Sequence, residues 1–479
     1  MYLGLDLGTS GLKAVLVDED GVLHAEAQAP LRVARPHAGW SEQDPADWIA
    51  ATEIVMTELS ASSDLSAISG IGLSGQMHGA TLLDASGDVL RPCILWNDTR
   101  SHVQAAAMDA DPMWRDISGN IVFPGFTAPK IAWVRAHEPD IFAKTAKVLL
   151  PKDYLRLWLT GEAVSEMSDA AGTSWLVTGA RDWSDTLLAA SGLSRDHMPR
   201  LVEGSAVSGH LRDDLARRWG LRTGVVVAGG AGDNAAAAVG MGVVKPGQAF
   251  VSLGTSGVLF AASAAYQPDA PSAVHTFCHA LPDTWHQMGV ILSCTDALNW
   301  YGALVGSDAG DLTSELGGIQ VPSETLFLPY LGGERTPHND AAARGAFLGL
   351  SHATDRTAGT RAVLEGVSYA IADCHAALIG TGTRIDTLVA VGGGSKSETW
   401  VQILATVLNI PIDLPTDGDF GGAFGAARLA RMAATGAGAE LATPPATART
   451  IEPRSDLRDA FQHGLERYRA AYHALKEAI

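Results

Sequence analysis

The sequence GLDLGTSGLK, residues 4–13, contains a motif that occurs twice in this chain. Its core, LGTSG, returns in VSLGTSG at residues 251–257. Apolar residues on both sides of each copy predict two strands joined by a glycine-rich turn. Two distant copies of one strand–turn–strand unit predict two domains of like topology, each of which presents its turn to a shared cleft.

The length and the local patterns predict a two-domain α/β protein. A chain of 479 residues is too long for one compact core, and helical and strand patterns alternate along it. We expect one domain at residues 1–244 and a second at 245–479, because the same plan begins again there. An antiparallel meander is predicted near the N-terminus, with strands at 2–7, 13–17 and 22–30.

The composition narrows the expected partners and location. The chain carries a formal net charge of −19 and has a pI of about 5.1, so it repels nucleic acid and anionic membranes as a whole. Its four cysteines form no CxxC pair and match no zinc spacing, which suits a reducing compartment. The N-terminus shows no signal-peptide pattern. We therefore expect a cytoplasmic protein, and the oligomeric state stays open, with a homodimer as one arrangement.

Both LGTSG turns are candidates for binding phosphate. Glycine lets a ligand approach the backbone, whose successive N–H groups form a nest for an anion, and threonine and serine add hydroxyl donors. A single glycine hairpin is common, but two copies beside an aspartate favour nucleotide phosphates. The spacing does not fit a Walker A loop. The candidate residues are Gly8, Thr9, Ser10, Gly11, Lys13, Gly254 and Thr255.

Two aspartates on glycine turns are the candidate catalytic residues. Asp6 lies where the first strand meets its turn, so its carboxylate could hold Mg²⁺ through water beside bound phosphates; hydrogen bonds within its own turn are the alternative. Asp233 follows the glycine turn 228–232 and begins an alanine-rich helix, either as a simple N-cap or as a functional carboxylate. Since a helix N-terminus lowers the pKa of a carboxylate, we expect Asp233 to be ionised and able to accept a proton.

The same turn imitates a dinucleotide-binding fingerprint. That fingerprint expects an acidic residue about 20 positions later to bind the ribose, and none occurs between Asp233 and Asp269. A dehydrogenase is therefore a remote alternative.

Two further glycine-rich stretches and two polar segments complete the candidates. GGGSKSETW at 392–400 enters a helix and could pass under a nucleotide's base or α-phosphate, through Gly393, Gly394 and Ser397. DFGGAFGAA at 419–427 is either another such turn or a set of small residues that allows tight helix packing. SGQMHGA and WNDTR contribute Met77, His78 and Trp96, and an aromatic ring against the apolar face of a sugar is a plausible pairing.

Taken together, these motifs resemble those of the FGGY carbohydrate kinases, a branch of the actin/Hsp70-like ATPase fold, over nearly the whole chain. GLDLGTSGLK and SLGTSG resemble the two phosphate motifs of that family, GGGSKS resembles the adenosine-side motif, and GFTAPKIAW at 125–133 resembles a family signature. The resemblance implies two ribonuclease H-like domains of similar topology with an interdomain cleft. It also implies ATP and Mg²⁺ as cofactors.

Within the family, segments such as SGQMHGATLLD and GGERTPHN are similar to those of the xylulokinase subgroup. That resemblance implies D-xylulose as the sugar and D-xylulose 5-phosphate as the product. Glycerol kinases of the family carry an Arg-Glu pair where this chain has Met77-His78, which disfavours glycerol. The resemblance further implies that Asp233 accepts the proton and that Asp6 is needed for activity and serves the metal. The implied sugar-binding residues are Met77, His78, Trp96, Asp233 and Asn234.

Several functions remain as alternatives at this stage. The sugar or polyol could be D-ribulose, another pentulose or a pentitol. An actin-fold ATPase that acts as a chaperone or filament, and a phosphate-chain hydrolase of the same fold, need no sugar. ADP release that depends strictly on added sugar would exclude both of these.

Overall fold

The computed structural model describes residues 1–416 and 420–476, and the chain divides into two compact units. The division does not follow chain order, because the first unit includes two segments from later in the sequence. The linear domain bounds at residue 244 stay a prediction. The first unit comprises Met1–Val244, Phe277–Trp285 and Asp419–Pro444, and the second comprises Lys245–Thr276, His286–Gly418 and Pro445–Ile479.

Strands and helices alternate through both units. In chain order the strands are β1 (Tyr2–Leu7), β2 (Gly11–Val17), β3 (Leu23–Pro30), β4 (Glu42–Gln43), β5 (Gly70–Gly75), β6 (Thr81–Leu83), β7 (Cys93–Ile94), β8 (Lys147–Leu149), β9 (Val164–Glu166), β10 (Leu176–Val177), β11 (Asp182–Trp183), β12 (Arg200–Val202), β13 (Val207–His210), β14 (Val226–Ala228), β15 (Ala231–Gly232), β16 (Gly247–Leu253), β17 (Gly257–Ser263), β18 (His275–Cys278), β19 (Trp285–Ile291), β20 (Leu326–Leu328), β21 (Ala346–Leu348), β22 (Ile385–Val391), β23 (Ile412–Pro415) and β24 (Thr447–Ile451).

The α-helices are α1 (Pro45–Ser62), α2 (His102–Asp109), α3 (Pro112–Ser118), α4 (Thr127–His137), α5 (Pro139–Lys144), α6 (Pro151–Thr160), α7 (Met167–Ala171), α8 (Asp185–Ala190), α9 (Asp213–Trp219), α10 (Asp233–Gly240), α11 (Thr295–Val305), α12 (Ala309–Ser314), α13 (Arg356–Gly380), α14 (Glu398–Leu408), α15 (Gly422–Thr435) and α16 (Arg458–Lys476). Short 3₁₀ helices lie at Leu65–Ala67, Arg195–His197, Ala270–Ser272, Gly393–Lys396 and Ala439–Leu441.

The first unit is built on a mixed sheet with strand order β13-β14-β5-β1-β2-β3, and β15 also pairs with β5. Strands β1, β2 and β3 form the predicted antiparallel meander, with the first LGTSG turn between β1 and β2. Strand β1 also runs parallel to β5. A long crossover separates β1 from β5, as a parallel pair requires, and it contains α1, which Asp44 caps and Pro45 begins.

Helix α15 packs on this sheet at backbone distance because glycines lie in the contact. A Cβ atom added to Gly4 or Gly72 would lie within 1.9 Å of a carbonyl oxygen of the helix. A Cβ on Gly425, in the helix itself, would lie 1.8 Å from a carbonyl oxygen of α10. The small residues of the stretch 419–427 therefore permit tight helix packing, the second of the two alternatives. Asp419, the first residue of that stretch, lies outside the described residues.

The second unit repeats the plan with a second mixed sheet, in the order β18-β19-β17-β16-β22-β23-β24. Strands β16 and β17 form an antiparallel hairpin around the second LGTSG turn, and β16 runs parallel to β22. This is the relation that β1 has to β2 and β5 in the first unit. The two copies of LGTSG therefore occupy equivalent places in two sheets of similar topology.

Two helices form much of the core of the second unit. Helix α13 is long and apolar enough to cross a membrane by composition, but 78% of its most apolar stretch is buried inside the protein, as in the central helix of a globular core. The C-terminal helix α16 is amphipathic. It buries Phe461, Leu465, Tyr468 and Tyr472 against this core.

Candidate active site

The first LGTSG turn is held from the side by polar groups. Trp96 Nε1 donates to Thr9 Oγ1 at 2.9 Å, and Thr9 Oγ1 in turn donates to Gln76 Oε1 at 3.0 Å. Gln43 Nε2 donates to the carbonyl oxygen of Thr9 at 2.7 Å. Because the hydroxyl of Thr9 donates its hydrogen to Gln76, a phosphate bound here would accept a hydrogen bond from the backbone N–H of Thr9. The predicted phosphate turn is thus hydrogen-bonded to the predicted sugar-side residue Trp96.

The other predicted residues of this motif lie on or beside the strands. Gly8 and Ser10 complete the turn, and Gly11 begins β2. Lys13 points from β2 towards β3, where its Nζ lies 2.8 Å from Glu26 Oε2. All of these stay predicted nucleotide-binding residues.

Asp6 lies at the end of β1, opposite Ser74 of β5 in the parallel pair. Ser74 Oγ donates to Asp6 Oδ1 at 2.7 Å. Gly422, the first residue of α15, approaches the same carboxylate so closely that a Cβ there would lie 2.9 Å from Oδ1. The N-terminus of α15, which is the positive end of that helix dipole, therefore lies beside the carboxylate of Asp6.

Asp233 is the first residue of α10, and Gly232 occupies the cap position before it. The backbone N–H and the side-chain Nδ2 of Asn234 both donate to Asp233 Oδ1, at 2.7 and 3.0 Å. The expected lowering of its pKa is wrong: desolvation by burial, followed by the negative charge of Asp6, raises the pKa of Asp233 to about 6. These effects outweigh the helix terminus and the bonds from Asn234. The carboxylate is still mostly ionised at pH 7.

The loop with Met77 and His78 packs directly on this aspartate's turn. Met77 is buried, and a Cβ on Gly232 would lie 2.9 Å from its Sδ. His78 has the left-handed φ of 68°. Its carbonyl oxygen accepts from Lys130 Nζ at 2.7 Å and from Thr127 Oγ1 at 3.1 Å, which holds the loop in this unusual conformation.

The imidazole of His78 has a defined orientation. Its Nδ1 lies 2.7 Å from the carbonyl oxygen of Gly172, and its ring stacks on Phe126 with a centroid distance of 4.6 Å. A carbonyl oxygen only accepts, so Nδ1 carries the hydrogen and Nε2 of the neutral ring is an acceptor. Such a nitrogen can accept a hydrogen bond from a sugar hydroxyl.

Trp96 stands on a loop held by a buried ion pair. Arg100 makes a bidentate contact with Asp98, and its guanidinium lies 3.5 Å from the ring centroid of Trp40. Asp98 also accepts from the backbone N–H of Ser41 at 2.6 Å. Trp96 itself is 46% exposed, so a face of the indole is open to a ligand while its Nε1 is bound to the first turn.

In the second unit, the second LGTSG turn joins the start of α11. The backbone N–H of Thr295 donates to the carbonyl oxygen of Gly254 at 2.9 Å, and that of Cys294 donates to Thr255 at 2.8 Å. The turn's carbonyl groups thus satisfy N–H groups at the start of a helix. Thr295 also lines a cavity of about 710 Å³.

That cavity lies between α11, α12 and the GGGSKS segment. Gly393 and Gly394, in the 3₁₀ helix after β22, line it together with Ser397. Ser397 also accepts from a backbone N–H of α14, which it caps. Asn299 of α11 and Thr313 of α12 line the cavity on the side of the two helices. The cavity has a size and a mixed polar lining that suit a nucleoside.

Sequence reasoning missed several polar residues of the first unit that hold these groups in place. Gln43, Gln76 and Lys130 are all buried. Gln76 lies in the motif SGQMHGA and Lys130 in GFTAPKIAW. A polar side chain among buried residues of a strand or helix is the sequence feature that could have indicated their role. Their partners, however, come from distant parts of the chain.

The described residues contain no cluster of three or more histidine, cysteine, aspartate or glutamate side chains that could hold a metal ion. The negative charge of Asp6 nevertheless raises the pKa of Asp233, so the two carboxylates lie close enough to interact. Mg²⁺ takes oxygen ligands, keeps several waters and commonly uses one or two carboxylates plus phosphates. This donor set fits Mg²⁺ held by Asp6 through water, and the assignment stays a prediction.

Comparison with known proteins identifies the family to which the chain belongs. The profile of the FGGY family of carbohydrate kinases, N-terminal domain, matches residues 1–240, and the C-terminal domain profile matches residues 249–434. The xylulose kinase of Escherichia coli (strain K12) is 48% identical over 100% of this chain and 98% of its own.

Solved structures agree as well. The crystal structure of a xyloylose kinase from Brucella ovis matches with a TM-score of 0.99 and 62% identity over 100% of both chains. The xylulose kinase of Rhodospirillum rubrum matches with a TM-score of 0.93 and 29% identity over 99% of both chains. The prediction of two α/β domains of the actin/Hsp70-like kinase type is confirmed. The chain belongs to the FGGY family of carbohydrate kinases.

Proposed function

We propose that the protein transfers the γ-phosphoryl group of ATP to the C5 hydroxyl of D-xylulose, which yields D-xylulose 5-phosphate and ADP. The observation that carries the proposal is the packing of the Met77-His78 loop on the turn of Asp233. A hydroxyl-binding histidine and a proton acceptor are thereby side by side, in a chain similar to xylulose kinases over its full length.

The first unit provides the groups for the sugar and for proton transfer. Asn234 engages Oδ1 of Asp233, so Oδ2 is the oxygen that accepts the proton of the attacking hydroxyl. A carboxylate with a pKa of about 6 is a stronger base than an ordinary aspartate and is still ionised at pH 7. His78 Nε2 orients a second hydroxyl, and Trp96 offers its open face to the carbon skeleton.

Each LGTSG turn is proposed to bind phosphate, and the cavity of the second unit is proposed to bind the nucleoside. Backbone N–H groups of the turns bind the phosphates, and the Gly393–Gly394 segment borders the adenosine site. Mg²⁺, when bound near Asp6, neutralises charge on the β- and γ-phosphates. The protein itself positions the hydroxyl, accepts its proton and excludes water, which would otherwise take the phosphoryl group.

The location and the assembly of the protein are two further parts of the proposal. All four cysteines are buried free thiols, which supports a reducing compartment such as the cytoplasm. A homodimer stays a prediction, which size-exclusion chromatography with light scattering would test.

The test measures ADP release with D-xylulose, D-ribulose, xylitol and glycerol, and without any sugar. We expect the highest kcat/KM with D-xylulose and little ADP release without sugar. Asp233→Ala should abolish turnover and leave nucleotide affinity largely unchanged. Asp213→Ala is the matched control, since Asp213 is the exposed first residue of another helix, α9.

Each outcome assigns or removes a function. A different preferred pentulose or pentitol would correct the substrate and keep the reaction type. ADP release that ignores sugar would instead favour an ATPase or phosphohydrolase. Near-normal turnover of Asp233→Ala would remove that residue from the role of base.

A further inference from the structure

One short segment of the first unit makes hydrogen bonds both to His78 and to the residue before Asp233. This bridge segment, Glu166–Gly172, consists of α7 and its two flanking residues. Near its start, Ser168 Oγ accepts a hydrogen bond from the backbone N–H of Gly232 at 3.0 Å, and Gly232 immediately precedes Asp233. At its end, the carbonyl oxygen of Gly172 accepts from His78 Nδ1 at 2.7 Å.

The hydroxyl of Ser168 is oriented by a carboxylate. Ser168 Oγ donates to Glu166, with its Oε2 at 2.8 Å, so its lone pairs are left for the N–H of Gly232. Glu166 also accepts from the backbone N–H groups of Ser168 and Asp169, at 2.7 and 2.9 Å. Charge-assisted bonds of this kind are stronger than neutral ones. The orientation of the Ser168 hydroxyl towards the N–H of Gly232 is therefore fixed.

A buried charge cluster anchors the segment. The side chain of Lys152 is fully buried, and its Nζ lies 3.2 Å from Asp169 and 3.4 Å from Glu166. Arg156, also fully buried, shares the carboxylate of Asp153 with Lys152. Arg156 donates in addition to the carbonyl oxygen of Gly229. The turn before Asp233 is thus tied to the same cluster at both of its ends.

The contacts leave little room for adjustment. A Cβ on Gly172 would lie 2.5 Å from Cε1 of His78, and a Cβ on Gly232 would lie 2.8 Å from Cγ of Met77. Any shift of the bridge segment therefore moves the imidazole, and any loss of the Ser168 bond frees the turn that carries the aspartate.

We propose that the bridge segment sets the position of Asp233 relative to His78, and that Ser168 is a positioning residue for proton transfer. The inference deepens the proposed function, on which it rests for the choice of sugar. A reacting group displaced by about 1 Å can cost about 100-fold in rate. Loosening the turn should therefore slow transfer to the sugar and leave nucleotide binding as it is.

The test compares Ser168→Ala with Ser165→Ala. Ser165 lies three residues earlier and is equally buried, but its Oγ makes no hydrogen bond to any residue in the described ranges 1–416 and 420–476. In Ser168→Ala we expect kcat with D-xylulose to fall roughly 10- to 100-fold and KM for ATP to stay within about twofold. Ser165→Ala should leave both near the wild-type values. Ser168→Thr, which keeps the hydroxyl, should restore most of kcat.

A second readout needs no turnover. Amide hydrogen exchange should show a protected Gly232 N–H in the folded wild type, with exchange at least about tenfold faster in Ser168→Ala and unchanged in Ser165→Ala. An unprotected Gly232 amide in the wild type would overturn the proposal even if no variant folded. Equal losses in both serine variants, or a kcat loss matched by a rise in KM for ATP, would overturn it too.

The two proposals can fail separately. A wild type that releases no ADP with D-xylulose would refute the choice of sugar, while the exchange measurement would still decide whether Ser168 holds the turn.

Discussion

Replacing Asp233 with asparagine should stop sugar phosphorylation and make the folded protein more stable at neutral pH. Burial and the charge of Asp6 raise the pKa of Asp233 from 3.8 to about 6. Since one pKa unit corresponds to about 1.4 kcal/mol, ionised Asp233 costs roughly 3 kcal/mol of folding free energy at pH 7. Asparagine has nearly the same shape and can still accept from Asn234, but it carries no charge. We therefore expect a gain that approaches this value.

The gain has a defined pH dependence. Below the ordinary aspartate pKa of 3.8, Asp233 is protonated in both the folded and the unfolded chain, so the variant has no advantage there. As the pH rises from about 4 to about 6, the unfolded chain releases this proton first, and the wild type loses stability relative to the variant. The advantage should be complete above about pH 6 to 7.

Thermal and urea unfolding at pH 4 and pH 7.5, without ligands, measure this difference. Asp213→Asn serves as the control, because it removes an exposed aspartate from the same position of another helix and should change stability by less than about 0.5 kcal/mol. A variant that is no more stable than the wild type at pH 7.5 would refute the electrostatic reasoning. So would a gain of equal size at both pH values.

Three other substitutions test separate parts of the structure. Asp6→Asn should lower the pKa of Asp233, because it removes the negative charge that raises it. NMR of ¹³C-labelled aspartate measures this titration, and an unchanged titration would contradict the coupling of the two carboxylates. Trp96→Phe keeps an aromatic face but loses the Nε1 donor to the first turn, so KM for the sugar should rise about fivefold; a rise as large as that of Trp96→Ala would argue against a stacking role. Gly72→Ala should cost about 3 kcal/mol or more in urea unfolding, because its Cβ would lie 1.8 Å from a helix carbonyl oxygen. Gly380→Ala, with open space around it, is the control and should cost less than about 1 kcal/mol.

Much of the fold could be predicted because its signals are local. The meander follows from alternating apolar residues and a polar turn, and α1 follows from the cap at Asp44 and the proline after it. The repeated LGTSG motif also predicted that the two sheets share a plan. Each of these features depends on residues that are neighbours in the sequence.

The features that could not be predicted depend on distant partners. Thr9 is hydrogen-bonded to Gln43, Gln76 and Trp96, which come from three separate segments of the chain. The predicted direction of the pKa shift at Asp233 was wrong because it, too, depends on distant partners. A helix start is visible in the sequence, whereas burial and the approach of Asp6 exist only in the folded unit.

The resemblance to a family supplied what local patterns did not, namely the sugar-side roles of Met77 and His78. The structure adds why His78 can hold its conformation: the buried amine of Lys130 bonds to its carbonyl oxygen. Nothing in the spacing of GFTAPKIAW indicates that contact.

The placement of α15 has a consequence for the synthesis of the protein. This helix covers β1 and β5, which are both complete by Gly75, but it is encoded near the end of the chain. During translation the glycine-lined face of that sheet therefore waits uncovered until most of the polypeptide has left the ribosome. Apolar surface that is exposed during synthesis is prone to aggregation. A premature stop before Gly422 consequently removes the cover of the N-terminal sheet even when every strand of that sheet has been made.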